Sequence, residues 1–345
     1  MKALILHGPD DFKVEEVPMP VIGKGDILVK VKTCAICGTD MRILEGKKTK
    51  DVRYPSIIGH EISGTITEVG SEVEGYAVND NVAIANVIPC ARCHSCLTGR
   101  ENACMNRTAI GYQYDGGFAE YVRIPAAAVN MGNVHKYAAG VGFDEAALVE
   151  PLACCVNGAG KTGVKLGDTV LIVGAGPIGL MHLQLAIADG AGCVIVNEPI
   201  EHRRARAAAA GATYAVGLDA EGLAKLVKDV TNGIGVDHVV MAIGVSSIIN
   251  DTLKLICKGG TINMFAGFSG KGEGTIEANL IHYNEITMNG TSAYTRNDYL
   301  TALKLVENKR VKVADLVSHE FPLEDFQKAY EVCKSGEGVK VVIHP

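Results

Sequence analysis

The stretch Val170-Leu171-Ile172-Val173-Gly174-Ala175-Gly176-Pro177-Ile178-Gly179 limits what this chain can fold into more than any other. Four apolar residues run into Gly-x-Gly-x-x-Gly, and an apolar-rich segment, Leu180 to Ala186, follows. That order predicts a buried strand, a tight turn and a helix start. The three glycines answer different needs. Gly174 makes the turn, Gly176 lets backbone approach a pyrophosphate, and Gly179 lets helix pack on strand. Pro177 and Ile178 open the helix, whose free N–H groups and partial positive charge suit phosphate. An ordinary strand-to-helix turn can carry this glycine pattern by chance. A second apolar run, Cys193 to Asn197, however, ends at Glu198, where an acidic residue holds the ribose hydroxyls of NAD. A dinucleotide site is therefore expected at Gly174, Gly176, Pro177, Ile178, Gly179 and Glu198.

At 345 residues the chain exceeds one ordinary core, and two domains are expected. Residues 1–150 read as short strands broken by turns: 3–6 and 12–17 as a hairpin, then 27–33, 62–70 and 81–84. This first domain is mostly antiparallel β. Over 151–289 the period changes, with apolar strands at 169–173, 193–197, 236–243 and 260–266 alternating with helices such as 201–211 and 220–230. Such alternation predicts a doubly wound parallel sheet with right-handed crossovers. Residues 290–345 return to mixed structure, expected to rejoin the first domain, with helices at 298–308 and 325–335 and a closing strand at 339–343. The fold class is α/β.

A net charge of −6 with no basic patch excludes nucleic acid and anionic membrane surfaces as expected partners. No apolar run approaches the ~18 residues of a membrane span, and residues 1–7 lack a signal-peptide layout, so a cytoplasmic location is expected. In such a chain the eleven cysteines read as metal ligands or buried thiols rather than disulfides.

Four of them, Cys90, Cys93, Cys96 and Cys104, crowd a polar loop at about 88–105. Tetrahedral zinc takes four thiolates at about 2.3 Å, so a closed, structural zinc site is expected; a set of buried or oxidised thiols is the alternative. Other potential ligands are scattered: Cys37 in Cys37-Gly38-Thr39-Asp40, His60 and Glu61 in Gly59-His60-Glu61, and Glu150 in Val149-Glu150-Pro151. A thiolate, an imidazole and a carboxylate leave a fourth zinc position open, as catalysis requires. Spacing alone does not join these segments, since a histidine beside a glutamate is more often a surface pair or a core residue.

Across essentially its full length the chain resembles the zinc-dependent medium-chain alcohol dehydrogenases. Gly59-His60-Glu61-x-x-Gly64-x5-Gly70 is similar to that family's zinc signature, and Cys37-Gly38-Thr39-Asp40 to its first ligand segment. The cysteine loop, Gly116-Gly117-Phe118-Ala119-Glu120-Tyr121, Glu150-Pro151-Leu152 and the glycine turn follow in the family's order. Glu150-Pro151-Leu152 is similar to the sorbitol and threonine dehydrogenase branch. The resemblance implies a GroES-like catalytic domain beside a Rossmann domain and two zinc ions per chain, and the Glu198 carboxylate favours NAD over NADP. It implies that Cys37 and His60 bind the catalytic zinc with Glu61 and Glu150 as carboxylate partners, neither ranked above the other. Asp40 would orient His60. Thr39 would take the proton of the substrate alcohol, with a local backbone contact as its plain alternative. Arg203 would lie over the adenine, with Arg204 and Arg206 on a solvated face. A homodimer or homotetramer is expected.

Two departures bear on substrate. Many relatives carry histidine where Arg42 stands, and of the sorbitol enzymes' Arg-Tyr pair only Tyr294 remains. Arg42 would hold an acid or phosphate on the substrate, or serve the cofactor's phosphates. The expected activity is oxidation of a secondary alcohol on a polyol or sugar derivative to the ketone by hydride transfer. The alternatives are an L-threonine 3-dehydrogenase, a sugar-acid or sugar-phosphate dehydrogenase, and a redox-silent relative that binds NAD and zinc.

Overall fold

Residues 154–292 build a six-stranded sheet in which every neighbouring pair is parallel. Its order is Tyr214–Val216, Cys193–Asn197, Thr169–Val173, Val236–Met241, Ile256–Met264, Thr287–Gly290. The chain starts mid-sheet at Thr169–Val173, winds to one edge, then returns to build the other half. In sheets of this order the crevice beside the first strand receives a dinucleotide. Helices flank the strands, so Val170, Leu171 and Ile172 are all fully buried instead of alternating. The computed structural model describes residues 1–268 and 272–345. Those residues form two compact units, Met1–Ala153 with Ala293–Pro345, and Cys154–Ser292.

Two differences from the sequence reading have physical causes. Tyr214–Val216 and Thr287–Gly290 are three and four residues long, too short to carry a period. The strand expected from 260 begins at Ile256, because Gly259, at φ 78°, is absorbed as an irregularity in the pairing with Val236–Met241 rather than forming a turn.

In the other unit, Lys2–Gly8 and Asp11–Glu16 pair as an antiparallel hairpin, with Asp10 left-handed at the turn. A second sheet runs Val317–Pro322, Lys340–His344, Ile27–Ala35, Glu61–Val69, Asn81–Ile84, Val134–Lys136, and Tyr121–Ile124 also pairs with Ile27–Ala35. All its pairings are antiparallel except that of Val317–Pro322 with Lys340–His344. Leu4, Leu6, Ile27, Ile62, Ile66, Ile84, Phe118 and Phe326 fill one core. The signature glycines fit between backbones: a Cβ on Gly64 would lie 2.2 Å from the Lys30 carbonyl oxygen, and one on Gly70 2.3 Å from that of Lys24. The register matters for the site, since Ala35 lies opposite both Glu61 and Val342. The first and last thirds of the chain therefore meet beside Cys37.

Candidate active site

Cys37 caps the helix Gly38–Leu44. Its Sγ accepts from the Thr39 N–H at 3.4 Å, while Asp40, at the third helical position, accepts from the Cys37 N–H at 2.9 Å. Such a capping box satisfies two otherwise orphaned helix N–H groups. The other oxygen of Asp40 stands 3.1 Å from His60 Nδ1. One fully buried carboxylate thus fixes the backbone of one candidate ligand and the ring of another. With Nδ1 engaged, Nε2 of His60 is the nitrogen available to a metal.

Ligand atoms of Cys37, His60 and Glu61 lie within 4.8 Å of one another. A thiolate, an imidazole and a carboxylate converging on one point fit zinc. Glu61 is fully buried at the head of its strand. Lys340 Nζ, itself 4% exposed, lies 2.7 Å from Oε1 and 2.5 Å from Oε2. Only Oε1 receives a well-aligned hydrogen bond, and the buried Oε2 has the Lys340 ion pair without one. Lys340 also donates to the Ile36 carbonyl at 3.1 Å. Burial works against the charge of Lys340, but Glu61 and its neighbours outweigh it and raise the lysine's pKa.

Glu150, in the first turn of the helix Val149–Thr162, is also buried but falls outside the 4.8 Å group. Burial, then the carboxylates of Glu61 and Asp40, push its pKa up to about 7 against the pull of His60 and Lys340. Its charged form gains from a nearby cation. Of the two glutamates that the sequence leaves unranked, Glu61 lies in the 4.8 Å group with Cys37 and His60, and Glu150 lies outside it.

The Tyr112 ring lies 5.6 Å from that of His60, and Lys48 Nζ stands 5.1 Å over the same tyrosine. Thr39 is half-buried, and its hydroxyl accepts from Arg42 Nη2 at 3.4 Å. Tyr294 is 3% exposed; its hydroxyl donates to Asn86 Oδ1 at 2.6 Å and accepts from the Asn86 N–H at 3.0 Å. That placement gives Tyr294 a framework contact with Asn86. Sequence reasoning missed Lys340, Lys48 and Tyr112. A lysine heading the apolar run 340–343 was the available signal for the first, because a charge in such a strand needs a partner.

The other four cysteines place their sulfurs within 4.8 Å of one another. Cys93 Sγ is 3.5 Å from Cys96 and 3.8 Å from Cys104, while a zinc tetrahedron with bonds of about 2.3 Å has edges of roughly 3.8 Å. The Arg92 amide, ahead of a smaller opposing effect of burial, lowers the Cys90 pKa to about 6, which favours the thiolate a metal needs. Arg296 ties the loop down, with Nε 3.0 Å from both oxygens of Glu101 and Nη1 donating to the Met131 carbonyl at 3.1 Å.

At the glycine turn, Gly174 has φ 100°, and Gly176 caps the helix Pro177–Ala188 with Pro177 in its first turn. A Cβ on Gly179 would meet the Gly174 carbonyl oxygen at 1.9 Å, whereas one on Gly176 would meet nothing within 4 Å. The third glycine thus serves packing, and the second leaves room for a phosphate. Glu198 is buried; its oxygens accept from the Ala175 N–H at 2.8 Å and the Ile200 N–H at 3.0 Å. Arg203 is half-buried in the next helix, Glu201–Ala209. Arg204 is half-buried and donates to the Glu198 and Pro199 carbonyls at 3.0 and 2.5 Å, and Arg206 is half-buried too.

Residues 23–136 match the alcohol dehydrogenase GroES-like domain, and residues 177–308 match the zinc-binding dehydrogenase family. The chain is 34% identical to the sorbitol dehydrogenase of Halalkalibacterium halodurans, over 100% of this chain and 99% of that protein. It is 35% identical to the L-threonine 3-dehydrogenase of Bacillus licheniformis, with the same coverage of both. A zinc-binding dehydrogenase structure from Sinorhizobium meliloti 1021, bound to NADP, superposes with a TM-score of 0.91 at 31% identity, covering 100% of this chain and 99% of that one. With both cysteine-containing clusters and the glycine turn in place, the chain belongs to the zinc-dependent medium-chain alcohol dehydrogenases, oxidoreductases acting on CH–OH groups, in the polyol and threonine dehydrogenase branch.

Proposed function

We propose that this enzyme oxidises a secondary alcohol of a polyol or sugar derivative to the ketone, with NAD as hydride acceptor. The observation that carries this reading is the meeting of Cys37, His60 and Glu61, with Asp40 bound to two of the three. In this reading those three residues hold the catalytic zinc and Glu150 stands in reserve behind them. Cys90, Cys93, Cys96 and Cys104 hold the structural ion. Zinc supplies Lewis-acid polarisation of an alcohol oxygen, and NAD supplies the hydride acceptor. Thr39 Oγ1 takes the alcohol proton as it gives up its own hydroxyl proton outward, its position steadied by Arg42 Nη2. Asp40 keeps His60 in one tautomer and one orientation. Gly174, Gly176, Pro177, Ile178 and Gly179 form the phosphate cradle. Glu198 recognises the adenosine ribose and disfavours a 2′-phosphate, and Arg203 lies over the adenine.

The enzyme works in the cytoplasm as a homodimer or homotetramer. Among the described residues no helix is long and apolar enough to cross a membrane. Leu97 and Met105, 74% and 86% exposed on the cysteine loop, offer apolar surface for a second copy. The test of function is NADH formation over a panel of polyols, sugar acids, sugar phosphates and threonine, with protein carrying both zincs. Flat traces throughout would reject the reading in favour of a redox-silent role.

A further inference from the structure

We propose that Lys48, with Arg42, forms an anion-binding wall beside the metal ligands, so that the alcohol oxidised here also bears a carboxylate or phosphate. This rests on the dehydrogenase reading of the same site. The ammonium of Lys48 stands 5.1 Å over the Tyr112 ring, and that ring lies 5.6 Å from His60. One aromatic side chain therefore separates this cation from a candidate metal ligand. Arg42 lies one helical turn beyond Cys37, and its Nη2 reaches Thr39 Oγ1 at 3.4 Å. A backbone hydrogen bond of 3.0 Å from the Lys48 N–H to the Arg42 carbonyl fixes the two residues relative to each other.

Charge balance separates these cations from several lysines of the chain. Lys47 pairs with Glu45, Lys309 with Glu145 and Lys340 with Glu61. Among the described residues neither Lys48 nor Arg42 lies within 4.0 Å of a carboxylate. Lys48 is half-buried, and burial, then the like charge of Arg42, lower its pKa against the pull of Asp51. Holding a half-buried ammonium beside a second cation is unfavourable unless an anion joins them. The dinucleotide's phosphates already have their own cradle at Gly174 to Gly179. A carboxylate or phosphate on the substrate supplies the matching charge, and its interaction with these donors is charge-assisted.

The test uses sorbitol, D-gluconate and sorbitol 6-phosphate as one neutral and two anionic alcohols, with zinc-loaded wild type, Lys48→Met and Lys48→Arg. In Lys48→Met the ratio of kcat/KM for an anionic member to that for sorbitol should fall roughly ten- to hundredfold, chiefly through KM. Lys48→Arg, which keeps the charge, should recover part of the ratio. Gluconate and the phosphate ester separate the two anion types. Calorimetric titration of both anions into the same proteins provides a readout independent of turnover, with binding weaker in Lys48→Met. An unchanged ratio and unchanged anion binding would overturn the proposal. So would weaker NAD binding with a uniform loss over all three alcohols, which assigns the cations to the cofactor. If no alcohol is oxidised, the dehydrogenase reading fails on its own, and the calorimetry still decides the anion wall.

Discussion

Lys340 Nζ closes on the carboxylate of Glu61 at 2.7 and 2.5 Å, with neither side chain more than 4% exposed. Two opposite charges are thus taken out of water together at the edge of a metal-ligand cluster. Breaking such a pair from one side leaves an uncompensated buried charge, which costs on the order of 3–5 kcal/mol. Lys340→Met should destabilise metal-free protein by about that amount in denaturant unfolding. The loss should be smaller with zinc bound, because the ion supplies a replacement positive charge. Lys340→Met combined with Glu61→Gln should recover much of the stability. A single-variant loss below about 1 kcal/mol would contradict the account.

Zinc content offers a second check. Elemental analysis should return two zinc ions per chain, one removed readily by a chelator together with activity and one retained. The four-sulfur site is closed by protein ligands on every side, whereas the mixed site relies on three. One zinc in fully active protein would be the wrong answer for both sites.

Glu198, proposed above to recognise the cofactor's ribose, also serves the fold, since its two oxygens hold the Ala175 and Ile200 amides. Glu198→Ala should weaken NAD, improve NADP relative to NAD, and lower stability by about 1–3 kcal/mol as buried donors lose their acceptor. Glu198→Gln keeps an acceptor oxygen and should lose less stability while still shifting the cofactor ratio. Titration of both cofactors against the three proteins measures this. A wild-type preference for NADP would reject the assignment.

Acid stability should depend on His182. This residue is buried in the helix Pro177–Ala188, with its ring 4.6 Å from that of Phe265 and its Nε2 without a hydrogen bond. Burial lowers its pKa to about 3, against an ordinary value near 6.5. Between those values the unfolded chain binds a proton that the folded chain refuses, so this contribution is intact above about pH 6.5 and lost as pH falls. The slope approaches about 1.4 kcal/mol per pH unit, or roughly 2 kcal/mol by pH 5. His135, also lowered by burial, adds in the same direction. His182→Phe should flatten the unfolding free energy between pH 5 and 7 relative to wild type. Parallel curves for the two proteins would remove His182 from the explanation.

Signals confined to a few neighbouring residues are legible in the amino-acid sequence alone. The glycine turn is readable because each glycine answers a local backbone demand, and Gly179 meets the Gly174 carbonyl as a third glycine should. The four cysteines are readable because one short loop carries all of them. Resemblance, rather than spacing, joins Cys37 to His60. What tertiary structure decided involves side chains that meet across distant segments. Lys340 and Glu61 are 279 residues apart, and strand register, with Ala35 opposite both Glu61 and Val342, brings their strands together. The separation of Glu61 from Glu150, the turning of Tyr294 onto Asn86 and the stacking of Lys48 over Tyr112 have the same origin. Periodicity records which face of an element is buried, whereas the partner on that face is set by how the elements pack.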